Sequence, residues 1–161
     1  MMKRHAILGL ALLIGGSLPA VAHDPGSVVA LSNVTVSARP AAAVVDAFHA
    51  ALKRGDLDAA AALLTDDILI FEAGGAERSK PEYRAEHLPA DAEFAKATTS
   101  IVTRRSGRAS GSVAWIVSEG QTKGEFRGRH VNSRTTETML LTRIGGRWKI
   151  MHIHWSSAAV R

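Results

Sequence analysis

Residues 48–72, with the sequence FHAALKRGDLDAAAALLTDDILIFE, decide the fold. Gly55 suits the left-handed end of one helix, and Asp56 suits the N-cap of the next helix. After an acidic turn at residues 65–67, alternating side chains predict a strand over residues 68–72 that ends on Glu72. This order of elements predicts one wall of a cone-shaped pocket, with Glu72 at its edge.

The helix that ends at Gly55 is predicted to begin at Pro40, where the missing N–H costs nothing. An apolar stripe at helical spacing follows it. A third helix is predicted after the strand, because residues 79–82 form a capping box. That helix carries Tyr83 and His87 on one face, and Pro89 should kink or end it before a last turn through Phe94.

From residue 98 onward, the sequence has the character of strands. Four segments, at 98–105, 112–123, 130–143 and 147–156, are rich in β-branched and aromatic residues, and glycines separate them. Antiparallel hairpins are therefore expected. Helices followed by a strand meander predict an α+β domain with the helices on one face of the sheet.

The N-terminus is predicted to be a signal peptide over residues 1–22. A basic start at residues 3–5 precedes a short apolar run at 7–14 and a small-residue cleavage site at 20–22. The run is too short to span a bilayer, and we expect no membrane span in the mature chain. The protein is therefore expected to be exported, to the periplasm or secreted, after cleavage near Ala22.

The remaining chain of 139 residues is long enough for one domain with a hydrophobic core. Residues 23–39 are rich in proline, glycine and serine and are predicted to be a linker, although Val34 to Val36 could pair with a sheet edge. Residues 40–157 form the predicted domain. The chain has no cysteine, so disulfides contribute nothing to its stability.

The charge is unevenly distributed along the mature chain. The formal net charge of +5 falls to +3 without the leader. Residues 23–96 hold 12 acidic and 7 basic side chains, whereas residues 97–161 hold 3 acidic and 11 basic ones. A basic half attracts anions. However, these charges alternate with apolar residues as on solvated strand faces, and we expect no nucleic-acid partner.

Short motifs at 50–58, 66–67, 146–150 and 154–156 are specific enough to carry a family resemblance: AALKRGDLD, DD, GRWKI and HWS. With these motifs the chain resembles the nuclear transport factor 2-like superfamily over residues 41–157, in particular its SnoaL-like and ketosteroid isomerase-like branches. The resemblance implies a conical α+β fold, with a strongly curved antiparallel sheet and about three N-terminal helices on its concave face. Many members are homodimers that pair through the convex face. Binders, isomerases, dehydratases, hydrolases and assembly modules share the motifs.

Glu72 is the candidate general base. Counted without gaps from Gly55, it falls where the resemblance to steroid isomerases implies a proton-shuttling carboxylate. Desolvation at the end of an apolar strand face raises the pKa of a carboxyl group, which suits it to take a proton next to a carbonyl. The alternative is a structural carboxylate paired with Arg78 or another arginine.

Two departures from the steroid isomerases weigh against that reaction. Phe48 stands where the resemblance implies a tyrosine donor, and Met139 stands where it implies an acidic donor. Neither side chain can donate a hydrogen bond to an oxyanion, and losing one donor costs about 100-fold or more in rate. Tyr83 and His87 are the candidate replacements.

The histidines allow a metal hypothesis, although we expect no metal. His152 and His154 lie two apart on a strand and share a face, with His87 or Glu137 as a possible third ligand. The resemblance places Trp155 toward the pocket, so the two histidines should face the convex side. A two-histidine spacing is a weak motif.

The predicted pocket wall is mostly apolar, with Phe48, Trp115, Met139 and Trp155 as its ligand-binding residues. Trp115 shares its strand face with Val113, Val117 and Glu119, and core packing is the default for such a stripe. In a conical domain the core face and the pocket wall are one surface, so the same residues suit a small-molecule site.

The predicted function is binding of a small apolar or weakly acidic ligand by an exported homodimer without a cofactor. One alternative is a proton-transfer isomerase or lyase that uses Glu72 as the base and Tyr83 or His87 as the polarising acid. A second alternative is an oligomeric assembly module without catalysis. It rests on resemblance to the association domain of calmodulin-dependent kinase, which shares a tryptophan followed by His-x-His and serine.

Overall fold

A computed structural model of the protein describes residues 31–160. The predicted signal peptide and residues 23–30 of the predicted linker lie outside this range. No helix within it is both long and apolar enough to cross a membrane.

The described part of the chain has four helices, one more than the sequence predicts. They are α1 (Arg39–Arg54), α2 (Leu57–Ala62), α3 (Lys80–Glu86) and α4 (Leu88–Ala97). Gly55 ends α1 in the left-handed conformation, with φ 71°, and the Asp56 carboxylate caps α2 by accepting a hydrogen bond from the Ala59 N–H. The predicted third helix is divided in two at His87: α3 ends before Pro89, as one of the two expected outcomes, and Pro89 lies in the first turn of the new helix α4.

Seven strands within residues 31–160 form one sheet in the order β1-β4-β5-β6-β7-β2-β3. They are β1 (Leu31–Val34), β2 (Leu64–Glu72), β3 (Gly75–Glu77), β4 (Thr98–Ser110), β5 (Val113–Phe126), β6 (Arg129–Ile144) and β7 (Arg147–Ala159). The strands β4 to β7 form the predicted antiparallel meander. The α+β fold class is therefore confirmed.

The sheet is mixed, which corrects the expectation of a purely antiparallel one. β1 runs parallel to β4, and β2 runs parallel to β7. Parallel neighbours need a long connection between them. The connection from β2 to β7 is long, because it includes α3, α4 and three long strands. β1 and a 3-10 turn at Val36–Ala38 belong to the segment predicted as a linker, and β1 supplies an edge pairing close to the one allowed at Val34 to Val36.

The helices cover one face of the sheet, called the concave face here. Its central strands present Ile116 on β5, Met139 on β6 and Ile153 on β7, all fully buried against Phe48 and the other apolar residues of the helices. These three strand residues are direct neighbours in the strand register. The hydrophobic core therefore lies between the helices and the middle of the sheet.

One row of side chains crosses the concave face next to this core. The strand register aligns Glu72 with Trp155, Trp155 with Glu137, Glu137 with Ser118, and Ser118 with Arg105. Residues paired in register point to the same face of a sheet. The five strands thus place one indole and several polar groups side by side.

Candidate functional site

A cavity of about 560 Å³ lies between the concave face and the helices α1 and α4. All five residues of the cross-strand row described above line it. This volume falls in the range of small-molecule sites.

Charged and hydroxyl side chains interrupt an otherwise apolar lining. Carbon atoms form most of the lining surface, as an apolar pocket requires. The charged residues on the wall are Asp46, His49, Lys53, Glu72, Asp91, Arg105, Glu119 and Glu137. Acidic residues therefore outnumber basic ones in the cavity, although the whole chain is basic.

His49, Glu137 and Trp155 form a hydrogen-bonded cluster on this wall. Glu137 Oε2 lies 2.7 Å from His49 Nε2 and accepts a second hydrogen bond from Trp155 Nε1 at 2.8 Å. The Trp155 ring stacks on Phe48, with ring centroids 6.4 Å apart. The Glu137 side chain is only 10% exposed, whereas His49 is 42% exposed because it faces the cavity.

The hydrogen bonds of this cluster favour the charged forms of His49 and Glu137. Burial alone would lower the pKa of His49, but the hydrogen bond and the charge of Glu137 outweigh burial and raise that pKa. Burial alone would raise the pKa of Glu137, but His49 and the Trp155 N–H outweigh burial and lower it. An imidazolium and a carboxylate are therefore the favoured forms in mildly acidic solution.

A second ion pair lies beside this cluster. Arg105 donates from Nη1 to Asp46 Oδ1 at 2.5 Å and from Nε to Ser118 Oγ at 3.2 Å. The Arg105 side chain is 15% exposed. Because both ions face the cavity next to His49, the three groups keep this part of the wall polar.

Glu72 and Asp91 are the cavity carboxyl groups that bond no cation within residues 31–160. Glu72 lies at the end of β2 and is solvent-exposed, as expected at the edge of a pocket. Asp91 lies on α4, and its Oδ2 accepts a hydrogen bond from the Tyr83 hydroxyl at 2.7 Å. Each has an environment that disfavours its charged form.

Desolvation raises the pKa of both carboxyl groups. For Glu72, whose side chain is exposed at the cavity edge, partial desolvation by the cavity wall raises the pKa and the charge of Glu77 adds to it, while His87 opposes the change. For Asp91, burial raises the pKa to about 6, with Glu72 and Glu77 adding to it and the Tyr83 hydrogen bond opposing it. Carboxyl groups with raised pKa values in a cleft are candidates for acid–base chemistry.

Trp115 is not a pocket residue, contrary to the sequence prediction. The register pairs Ile116 with the fully buried Met139, so Trp115 points to the opposite face of the sheet. Alternation predicts two sets of β5 side chains but does not say which set faces the helices. The smaller residues Ala114, Ile116 and Ser118 face inward.

Other predicted site residues also lie off the cavity wall. Phe48 and Met139 are fully buried core residues, and Phe48 supports Trp155 from behind. Tyr83 is fully buried and reaches the cavity only through Asp91. His87 pairs with Glu77 outside the cavity, so it is not placed to polarise a ligand there.

The residues considered as metal ligands are not brought together. His152 and His154 point away from the helices, as expected, while Glu137 points into the cavity and His87 bonds Glu77. Within residues 31–160, no three His, Cys, Asp or Glu side chains are grouped to hold a metal ion.

The sequence does not single out several cavity residues as ligand contacts. His49 directly follows Phe48, and Glu137 lies two residues before Met139, on the same strand face. That alternation is a usable signal for Glu137. Asp91 and Arg105 gave no such signal, because only the tertiary structure brings α4 and β4 to the cavity.

The face of the sheet opposite the helices, called the convex face here, carries an apolar row. The register aligns Leu69, His152, Leu140 and Trp115 across four strands. The Phe71 ring lies beside this row, with its centroid 5.2 Å from that of His152. Leu69 and Phe71 are exposed, so solvent reaches this face in the described residues.

These features define a class of protein: an α+β domain whose curved mixed sheet and helices enclose a ligand-sized cavity. Residues 41–160 match the SnoaL-like domain family, and the chain belongs to this family, within the nuclear transport factor 2-like superfamily. A search of curated proteins found no significant match.

Solved structures with this fold include a candidate ketosteroid isomerase from Shewanella frigidimarina. It is 34% identical, with a TM-score of 0.72, over 77% of this chain and 99% of that chain. A candidate dehydratase from Streptomyces avermitilis is 15% identical, with a TM-score of 0.65, over 77% of this chain and 97% of that chain. A candidate calcium/calmodulin-dependent protein kinase II association domain from Xanthomonas campestris is 18% identical, with a TM-score of 0.66, over 77% and 89%. The last two show the fold alone.

Proposed function

We propose that the protein binds a small molecule in the cavity between its helices and its sheet. The cavity itself carries the proposal: about 560 Å³, mostly hydrocarbon, with polar groups aimed into it at a few positions. Carbon-rich walls favour an apolar body, and Glu72, Asp91 and the His49 cluster orient its polar ends.

The test compares two substitutions on α1. Ala47 and Ala50 are both exposed, but only Ala50 lines the cavity. Nile red, a neutral apolar dye, should gain fluorescence with the wild-type protein and with Ala47→Trp, but not with Ala50→Trp, whose indole fills the entrance. Equal dye binding by both variants would place the binding site elsewhere and contradict the proposal.

Proton-transfer catalysis is the second candidate function. Glu72 and Asp91 favour it, because they are carboxyl groups with raised pKa values on a cavity wall and bond no cation in the described residues. The similarity to a candidate ketosteroid isomerase agrees with such chemistry. Glu72 is the base in this proposal, since it lines the cavity at the end of β2, next to Trp155 in the strand register.

The experiment for this candidate uses an activated, enolisable ketone. Glu72→Gln should reduce the turnover rate by about 100-fold or more and leave binding of the ketone intact. Glu86→Gln, on the exposed surface of α3, is the matched control. An unchanged rate in Glu72→Gln would end the enzyme hypothesis while leaving the binding function standing.

We also propose that the protein forms a homodimer through its convex face. The exposed apolar row around Leu69 and Phe71 supports this, because burying it would stabilise an interface. Phe71→Lys should convert dimers to monomers in sedimentation velocity, whereas Ile144→Lys, exposed at the β6–β7 turn, should not. Particles larger than dimers in the wild type would favour the assembly-module alternative.

Export remains a proposal based on the leader sequence. The mature protein should appear in the periplasm or the medium with an N-terminus at His23, as measured by intact mass. Deletion of residues 2–22 should retain it in the cytoplasm. A full-length mass in the exported fraction would contradict cleavage near Ala22.

A further inference from the structure

We propose that His49 is the residue that binds the ligand's oxygen atom, and that Glu137 and Trp155 position it for this role. The inference deepens the proposed binding function and rests on it. It assigns the ligand to a class: a small ring compound that carries a carbonyl or an ionised phenol oxygen.

One nitrogen of the His49 ring is held and the other is free. Nε2 is bonded to Glu137 Oε2 at 2.7 Å. Nδ1 makes no hydrogen bond within residues 31–160, and it belongs to a side chain that lines the cavity and is 42% exposed, so it is open to water or ligand. With Nε2 held by a carboxylate, a charged imidazole ring presents the Nδ1–H as a single oriented donor.

Glu137 and Trp155 keep the His49 ring in place. Glu137 is itself fixed, because the same oxygen that bonds His49 also accepts the Trp155 N–H at 2.8 Å. Trp155 is in turn stacked on the buried Phe48. The indole of Trp155 therefore has two roles: its ring is a flat apolar part of the cavity wall, and its N–H fixes the position of Glu137.

Charged groups from three elements surround the His49 ring. The ionisable groups that face His49 are Asp46 on its own helix, Arg105 on β4 and Glu137 on β6. Asp46 and Arg105 are bonded to each other, so their effects on His49 largely oppose one another. Glu137 is left as the group that decides the ring's charge, and it favours the imidazolium.

The spacing of the cross-strand row sets the length of the ligand. Glu72, Trp155 and Glu137 are consecutive members of the cross-strand row. Adjacent strands lie about 4.8 Å apart, so the backbones of Glu72 and Glu137 are separated by roughly 10 Å. One ring on Trp155 bridges that span, with its oxygen toward His49 and its opposite end toward Glu72.

This assignment also answers the objection raised by Phe48 and Met139. Neither can donate to an oxyanion, but the next residue after Phe48 is a histidine whose N–H can. In the proton-transfer alternative, the same Nδ1–H would stabilise the enolate oxygen formed when Glu72 takes the proton.

The test compares para-nitrophenol with its neutral relative para-nitroanisole, which lacks an ionisable oxygen. Wild-type protein should bind the phenolate at least about 10-fold more tightly, the effect of one hydrogen bond between charged groups. The phenolate's colour reports its binding directly. His49→Leu should remove the preference, whereas His152→Leu, on the convex face, should keep it.

Three outcomes of this test are distinguishable. A preference that survives in His49→Leu overturns the inference. Equal binding of the two compounds by the wild type overturns it as well but leaves the cavity function standing, because a compound still binds. Failure of both compounds and of Nile red to bind contradicts the cavity function together with the inference.

The positioning role of Glu137 has its own readout, which needs no ligand. Nitrogen NMR of the His49 ring should give a pKa above the usual value in the wild type and a lower one in Glu137→Gln. Phenolate binding should then be lost at a correspondingly lower pH, since the neutral ring no longer offers a charged donor. Trp155→Phe keeps the ring against Phe48 but removes the N–H, and it should lower the His49 pKa by less. A His49 titration that is unchanged in Glu137→Gln would overturn the positioning role.

Discussion

The residues on the cavity wall include two kinds of carboxyl group. Glu137 and Asp46 each bond a cation, whereas Glu72 and Asp91 bond none within residues 31–160. A partly buried carboxyl without a cation resists ionisation, which destabilises the folded protein at neutral pH. Carboxyl groups of this kind are concentrated at functional sites. Glu72 and Asp91 therefore support the proposals of ligand binding and proton transfer.

Asp91→Asn should stabilise the protein at neutral pH. The pKa of Asp91 is about 6 in the folded protein, against an ordinary value of 3.8. Between these values the folded state holds the proton more tightly than the unfolded chain, so wild-type stability falls as the pH rises through this window. The asparagine can still accept from Tyr83, and the expected gain is on the order of 1 to 3 kcal/mol above about pH 7 and near zero below about pH 4.

Urea denaturation of Asp91→Asn and wild type at both pH values measures this difference. Glu93→Gln is the control, because Glu93 is exposed on the same helix. A gain of the same size at both pH values would show that proton binding by Asp91 is not its cause.

At the scale of elements, short local signals decide where the helices begin and end. Asp56 and Ser79 accept hydrogen bonds from backbone N–H groups in the first turns of α2 and α3. Gly55 takes the left-handed conformation between α1 and α2. The α1 helix, which ends at Gly55, lies over the sheet, and its residues Asp46 and His49 line the cavity.

Asp56→Ala should destabilise the protein by about 1 kcal/mol, the usual cost of losing an N-cap. The reason is the lost hydrogen bond from the Ala59 N–H to Asp56 Oδ1, which is 3.0 Å long. Asp67→Ala, exposed and without a capping bond, is the control and should change the free energy of unfolding by less than about 0.5 kcal/mol. Equal effects in chemical denaturation would mean that the cap does not stabilise α2.

At the scale of the whole molecule, the two faces of one sheet have different surroundings. The concave face provides both the buried core, around Met139 and Ile153, and the cavity wall, around Glu137 and Trp155. The convex face stays open to solvent in the described residues and carries the apolar row. The proposed ligand site and the proposed dimer interface therefore lie on opposite faces of the sheet.

Met139→Ala should cost about 2 to 5 kcal/mol in the free energy of unfolding, because Met139 is fully buried in the core. Met151→Ala should cost much less, since Met151 is 37% exposed. Folded Met139→Ala should still bind Nile red, because Met139 packs in the core and does not line the cavity. Loss of dye binding by a folded Met139→Ala variant would show that Met139 contributes to the ligand site after all.

Much of the fold was predictable because its signals are local. The stop at Gly55, the caps at Asp56 and Ser79, and the second half of β2 each depend on a few neighbouring residues. The start of β2 was predicted wrongly, because the strand begins at Leu64 and includes residues 65–67, which were expected to form a turn. The long-range parallel pairing of β2 with β7 has no local signal, and it was missed.

The sequence by itself determined most of the helix ends, the four strands of the meander, their order and the family resemblance, because periodicity, caps and turns act over one or two helical turns. Only the tertiary structure decided the site. Alternation sorts the residues of β5 into two sets, but the packing of α1 against the sheet chose Ile116 for the inside and left Trp115 outside. The same packing brought His49 to Glu137, 88 positions apart in the chain, because side chains meet through the fold and not through their spacing.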